Sequence, residues 1–425
     1  MAVHTFRSRL VFALSLGVFL LAPLGAAWAQ SLNEGFDALS AKVRLHRQLV
    51  PRLLKGTETA NPSDKTHVEA LDVTARYHTY RVFLEHLETP DPKRPTRTID
   101  RAISDFENDL KFLKDNKPNT QAAIDIFRNK VGLHALEVIQ FDQAARVHKI
   151  HNARILAEIA KLGEPKLAET LVTVLKDDKQ NDGVRYYVLR GLRNLLALAK
   201  PGQMPPLLKE EQKTQCAEAL VEFLEHRQGP PKGAAQEEID GFCLLRREAI
   251  RALAQIHTPA VSEKVRPALV LARFAGADGG IQPPPRIDER MEAALGLARM
   301  QADKQYQADY AACQIGRCLG AFGQKANEEK NKEGERTRPW KIDAYHLNAA
   351  LAALKGISGK DPYVAQVIEK GTRLLDEVMK GEQANTNDVT WFTTPQGDPP
   401  NKELFKGDAD SVVKPAQPAE APAEK

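Results

Sequence analysis

The chain has 425 residues, with 60 lysines and arginines against 56 aspartates and glutamates, a formal net charge of +4 and four cysteines. So even a balance lacks the basic footprint that counterion release on nucleic acid requires, and nucleic-acid binding is not expected. Four cysteines in a chain of this size exclude a disulfide-built scaffold.

The first element is an address. "MAVHTFRSR" is short and positive, "LVFALSLGVFLLAPLGA" is apolar, and Ala27-Trp28-Ala29 supplies the small-x-small pattern before Gln30. Residues 1–29 are expected to be a cleaved secretory signal peptide, which places the mature chain in the periplasm or otherwise outside the cytoplasm. No cysteine sits near Gln30, so a lipid anchor is not indicated. Beyond the signal no apolar run reaches the about 20 residues a membrane span needs. No membrane span is expected in the mature chain.

Residues 30–150 are expected to form an irregular helical region. Apolar stripes at helical spacing run through "FDALSAKVRLHRQLV", "VEALDVTARYHTYRVFLEHL", "TIDRAISDFENDLKFL" and "TQAAIDIFRNKVGLHALEVI", separated by "ETPDPKRPT" and "KDNKPN". Two histidine pairs fall here or just beyond. His148 and His151 are three apart on a helix, and His78 and His86, beside Glu85, share a face of another. Such spacing suits metal ligation, but zinc takes three or four ligands, so solvated or capping histidines are the commoner outcome. No cofactor is expected.

From about residue 151 to 380 one pattern recurs. Taking Arg185 as origin, Val188, Gly191, Leu192 and Leu195 follow at three, six, seven and ten residues. From Arg246 the same steps land on Ala249, Ala252, Leu253 and Ile256, and from Arg290 on Ala293, Gly296, Leu297 and Met300. A fourth copy without the arginine starts at Leu347 and gives Ala350, Ala353, Leu354 and Ile357. Steps of three, seven and ten share one face of an α-helix, and the small residue beside that face lets a second helix approach. Helices rooted at Glu164, Lys209, Pro259 and Gln305 alternate with the repeated ones, and no useful length alternates with period two, so strands are not expected.

An apolar residue, an arginine and then alternating apolar and small positions, carried by "DGVRYYVLRGL", "LLRREAIRAL" and "DERMEAALGL", resemble the HEAT-repeat family of armadillo-type α-solenoids. Arg246 and Arg290 lie about 44 residues apart, inside the range of such a unit, and the longer step from Arg185 accommodates "KPGQMPP" and "RQGPPKGAAQ" as an inserted loop. The aspartate before the arginine shifts from copy to copy (Asp182, Asp240, Asp288), so a regular Asp–Arg ladder is not expected. The resemblance implies an all-α, right-handed solenoid of helix hairpins with a long concave face. It also implies a non-catalytic interaction scaffold whose partner is a protein or an extended peptide.

Two roles are open to Arg185, Arg246 and Arg290. They hold inter-repeat loops, or they line a surface for acidic groups; equal placement in each copy favours the structural role. Tyr186, Tyr187 and Arg190 are the better candidates for binding, because aromatic side chains and arginine dominate interface hot spots. No HExxH, GxSxG, GxxxxGK[ST], GxGxxG or EF-hand loop occurs, so no enzyme is expected; the alternative is an accessory subunit or an enzyme with an unrecognised, metal-dependent site at His148 and His151. Cys216 and Cys243, on either side of a loop, are close enough in sequence to pair, although buried thiols are the favoured state for all four cysteines. Residues 381–425, rich in proline and polar side chains, are expected to be largely disordered. Val389 to Phe392 is the one apolar cluster there, and packing of it on the last helix is favoured over a partner-binding motif.

Overall fold

Among the described residues the computed structural model contains sixteen α-helices and no strand, with Tyr306 and Phe405 forming one isolated bridge. Described are residues 35–88, 95–114, 118–200, 202–227, 229–301, 303–333, 340–357 and 361–414. The expected signal peptide lies outside them. No helix among the described residues is long and apolar enough to cross a membrane.

The chain divides into two units at Glu164 and Pro165. The first contains α1 (Phe36–Leu45), α2 (Leu49–Lys55), α3 (Lys65–Glu88), α4 (Pro95–Lys114), α5 (Gln121–Gln140) and α6 (Arg146–Ile159). α3 is its hub and touches each of the other five. Leu39, Val73, Tyr80, Phe83, Leu84, Val138 and Ala144 close its core, each large side chain contributing on the order of 1.5–3 kcal/mol of burial. The start of the recurring pattern near residue 151 suggested an earlier boundary. α6 moves it, because Asn152 donates to the Thr79 carbonyl at 3.1 Å and the His148 ring packs edge-on against Phe83 at 5.4 Å.

The second unit runs through α7 (Leu167–Lys176), α8 (Asp182–Leu198), α9 (Glu210–His226), α10 (Gln236–Leu253), α11 (Pro267–Ala275), α12 (Ile287–Leu297), α13 (Ala308–Glu333), α14 (Trp340–Ile357), α15 (Pro362–Met379) and α16 (Thr386–Thr393). The four helices that carry the sequence pattern are neighbours: α8 packs on α10, α10 on α12, and α12 on α14. Their intervening partners form a second row, α7 on α9, α9 on α11, α11 on α13, and α13 on α15. The small position works by steric absence. A Cβ at Gly296 would come within 2.5 Å of the Ala254 methyl and 3.0 Å of Leu271, so only a bare helix surface allows α12 this close an approach.

α11 starts at Pro267 instead of at Pro259 as its apolar stripe suggested. A proline disfavours helical geometry in the residue before it, and Arg266 sits at φ −120°, ψ 79°. Pro267 then takes the first helical position, where its missing N–H costs nothing.

The expectation of a disordered tail from 381 onward is overturned for residues 381–414; residues 415–425 lie outside the described chain. Asn385 caps α16, and Asp388, fully buried, receives two hydrogen bonds from Arg373 at 2.6 and 2.5 Å. Phe392 seats on the bare backbone at Gly320 of α13, where a Cβ would lie 2.8 Å from the phenylalanine's own. Further on, Leu404, Phe405 and Val413 are buried over the start of α13. The strap's backbone bonds to Gln305, Gln307 and the Tyr310 hydroxyl, the last at 2.7 Å. The segment's composition looked too polar to order itself. Its few apolar side chains suffice because α13 supplies the other half of the buried surface.

One ion pair ties the centre of the repeated row. Arg246 of α10 is 4% exposed and Glu289 of α12 is 0% exposed; they form two parallel hydrogen bonds at 2.6 and 2.8 Å, while Arg246 Nη1 donates to the Pro283 carbonyl at 2.8 Å. The guanidinium also lies over Phe242 and Phe274 at 5.3 and 5.4 Å. Glu289 closes a capping box by accepting the Arg286 N–H at 2.8 Å. Removing one partner strands a buried charge. Arg246→Ala is therefore expected to lower unfolding free energy by about 3–5 kcal/mol, and Arg246→Met with Glu289→Leu to recover most of it, as measured by denaturant titration. A double variant no better than the single one would contradict this account.

Candidate functional site

Outward from the repeated row runs a chain of opposite charges that the sequence pattern did not announce. Arg193 of α8 meets Glu248 of α10 at 2.7 Å, and Arg251 of α10 meets Glu248 at 3.4 Å and Glu292 of α12 at 2.9 Å. His346 of α14 stands 3.5 Å from the other side of Glu292. Arg247 and Asp288 add a rung between α10 and α12 at 2.8 Å. Burial pulls the Arg193 pKa down, with Glu248 opposing that and the nearby Arg251 and Arg190 charges reinforcing it. Linked pairs of this kind fix side chains that isolated surface pairs would leave mobile. The result is a face with a defined arrangement of charge.

Tyr186, Tyr187 and Arg190 are all half-buried on α8. The two tyrosine rings meet edge to face at 5.3 Å, and Tyr186 and Arg190 stand on the Arg193 side of the helix. The more exposed apolar side chains of the row are Leu244 at 47%, Ile342 at 68% and Tyr345 at 73%. Helical spacing puts Leu244 on the Glu248–Arg251 face of α10 and Ile342 on the His346 face of α14, with Tyr345 one turn from Ile342 at the edge of that face. Sequence reasoning passed over these three. Their one available signal was being large and apolar off the packing stripe of a repeated helix.

Arg185, Arg246 and Arg290 do not line one surface. Arg185 donates to the carbonyl of Asp177, the residue capping α7, at 3.1 Å; Arg290 is half-buried and donates to Ala275, the last residue of α11, at 3.0 Å and to Arg317 at 2.8 Å. Both satisfy carbonyls that the end of the preceding helix leaves without a helical partner. Arg246 instead reaches forward to Glu289.

In the first unit His148 and His151 are both buried. Among the described residues no group of three or more histidine, cysteine, aspartate or glutamate side chains is placed to hold a metal ion, so the pair is not assembled into a metal centre there. The side chains of Glu85 and His86 lie outside the described set. A different polar cluster forms on α3 and α5. His134 bonds Asp72 at 3.0 Å, Glu137 at 2.9 Å and the Tyr80 hydroxyl at 3.0 Å, while Tyr80 also donates to Glu137. Arg76 and Lys130 close on Asp72 at 2.7 and 3.1 Å. Burial raises Glu137 to about 7, with Arg76 opposing; Asp72 stays far below the carboxylate range because His134, Arg76 and Lys130 outweigh its own burial. The cluster is an interior network. The nearby groove of about 420 Å3, between Val50 and Leu54 on one side and Tyr77 and Asp109 on the other, reaches the separate His78–Asp109 pair at 2.9 Å.

All four cysteines are buried free thiols, Cys216 and Cys243 included. Burial raises Cys216 to about 12 and Cys318 to about 11, which makes them unreactive at neutral pH.

Compared with protein-family models, with curated proteins and with solved structures, the chain matches none.

His151 gives the first unit a defined acid sensitivity. Burial lowers its pKa from the usual 6.5 to about 4, the backbone of His78 working the other way and the charges of Arg154, His78 and His148 adding to the lowering. Below pH 6.5 the unfolded chain takes up a proton that the folded chain refuses until about 4. The stability of neutral His151 is thus complete above 6.5 and is lost as pH falls towards 4. Glu137 acts in the opposite sense, since its raised pKa favours the folded state at low pH and that gain disappears as pH rises through about 7. Comparing His151→Leu with the native chain cancels the Glu137 contribution. The variant is expected to gain about 3 kcal/mol relative to the native chain between pH 7 and pH 4 in denaturant titrations. A difference independent of pH would remove this role from His151.

Proposed function

We propose that the chain is an exported α-solenoid of HEAT-like helix pairs that serves as a non-catalytic scaffold for a protein or extended-peptide partner. The observation that carries the reading is the outward face of α8, α10, α12 and α14. Tyr186, Arg190, Leu244, Ile342 and Tyr345 stand there around a ladder of linked charges. Aromatic, arginine and aliphatic side chains on a rigid support are the composition of interface hot spots. Two rows of helices packed in sequence order, with a small residue at the contact position, support the repeat reading. Residues 1–29 would direct export and be removed, leaving Gln30 at the mature N-terminus.

The tail is a poor place to test recognition, because Phe392 and Asp388 are buried and its deletion would expose α13. The test belongs on the face. In cross-linking capture from the native cell envelope, Arg190→Ala combined with Tyr345→Ala is expected to reduce partner recovery at least about tenfold with helix content and melting unchanged. Undiminished recovery would refute the assignment of the face. Intact mass of the exported protein should correspond to a chain beginning at Gln30, and a species keeping the first 29 residues would remove the signal-peptide reading.

A further inference from the structure

α14 closes the row of α8, α10 and α12, and it packs on α12, α13 and α15. Within the row, α8 and α10 hold their successors from the same side. Counted from Arg185, Arg193 stands eight residues on and meets Glu248 of α10 at 2.7 Å. Counted from Arg246, Arg247 and Arg251 stand one and five residues on and meet Asp288 and Glu292 of α12 at 2.8 and 2.9 Å. Steps of one, five and eight fall within about 60° of one another around a helix. From Leu347 of α14 the same steps land on Asn348, Ala352 and Lys355, and all three are exposed. Lys341 and Tyr345 share that side and are exposed too. Lys355 therefore holds on α14 the place that Arg193 holds on α8, with no described helix opposite it.

The chemistry of this open side restricts what can cover it. Its charges are Lys341 and Lys355, one near either end of the helix and about 20 Å apart along the axis, and neither has an ion-pair partner among the described residues. The one acid of α14, Asp343, is half-buried and falls on the opposite side by helical spacing. Asp361, the first acid after Lys355, is engaged in capping α15, where it accepts the Tyr363 and Val364 N–H groups at 2.8 and 3.1 Å. Between the lysines lie Tyr345 and Ala352, an aromatic anchor and a small residue that lets a helix axis come close. A second copy fits poorly: two α14 helices packed antiparallel about Asn348 would set Lys341 of each against the partner's Lys355. A helix with an apolar stripe and carboxylates near its ends meets every feature of the side.

We propose that the open side of α14 docks an acidic amphipathic helix of a partner protein as one more member of the row, its apolar stripe over Tyr345 and Ala352 and its carboxylates against Lys341 and Lys355. The inference rests on the scaffold reading for there being a protein partner, and it adds that partner's form and charge.

Fluorescence-anisotropy titration of the full chain tests this with a labelled peptide of about 20 residues, long enough to be helical by itself, carrying a leucine–alanine stripe and glutamates in its first and last turns. This peptide is expected to bind about tenfold or more tightly than the same peptide with lysines in place of the glutamates. Lys341→Glu combined with Lys355→Glu is expected to reverse that order. The control Lys232→Glu with Lys264→Glu changes net charge equally at exposed loop positions off the row and is expected to leave the order as it was. Ala352→Gln adds bulk without charge and is expected to weaken the acidic peptide about tenfold. Absence of acidic-peptide binding, or a preference that survives the α14 lysine variant, overturns the proposal. Self-association in sedimentation that the same variant abolishes assigns the side to a second copy, and binding seen only after deletion of residues 415–425 assigns it to the chain's own tail; either result overturns the proposal. Arg190 stands two helices away on α8 and takes no part in this titration, so this test and that of the outward face can fail separately.

Discussion

The pairing of Arg246 with Glu289 is the constraint around which the second unit is arranged. Both groups are charged and both are out of water, a state tolerated only when every strong donor and acceptor is met. Two hydrogen bonds from the guanidinium, a third to Pro283 and the Arg286 N–H on the carboxylate meet that condition together. The condition fixes α10, the loop before α12 and the first turn of α12 in one register. A shift of either helix by one residue would separate the pair, so the contact serves as a registration device as much as a source of stability.

From that registration follows the outward ladder. Glu248 and Arg251 follow Arg246 on α10 by two and five residues, and their partners Arg193 and Glu292 are brought into reach only because α8 and α12 lie alongside. The pairs are partly buried, with Glu248 itself out of water. Linked across four helices, the charges share carboxylates and restrict one another's rotamers, and the apolar side chains between them gain a fixed setting. Local stability and a defined surface come from the same packing.

The repeated arginine illustrates how one sequence signal supports different interactions. At Arg185 and Arg290 it closes the end of the preceding helix, meeting carbonyls that no helical N–H reaches. At Arg246 it crosses to the next repeated helix and finds a carboxylate. Arg185 leaves its Nε without an acceptor among the described residues, whereas Arg246 and its carboxylate are closely matched. Position in the sequence pattern sets where the guanidinium starts, and the neighbouring loop decides where it ends.

Local periodicity in the sequence determined the all-α class, the identity of the repeated helices and their contact stripe, because spacing along one helix is enough to define a buried face. Gly296 could be recognised as a close-contact position for the same reason. The candidate face was legible only in part: Tyr186, Tyr187 and Arg190 stood out by residue type, whereas Leu244, Ile342 and Tyr345 are ordinary apolar residues until their exposure is known. Glu248 and Glu292 resemble any solvated acid until α8, α10, α12 and α14 lie side by side. The boundary at Glu164, the late start of α11 and the order of residues 381–414 were likewise settled by tertiary contact. In the last case a segment poor in apolar side chains folds because α13 provides the surface it lacks. Periodicity is a property of one helix and can be read from its own residues. Burial of a strap, the match of a distant charge and the exposure of a tyrosine depend on what another part of the chain places opposite them, and only the tertiary structure decides that.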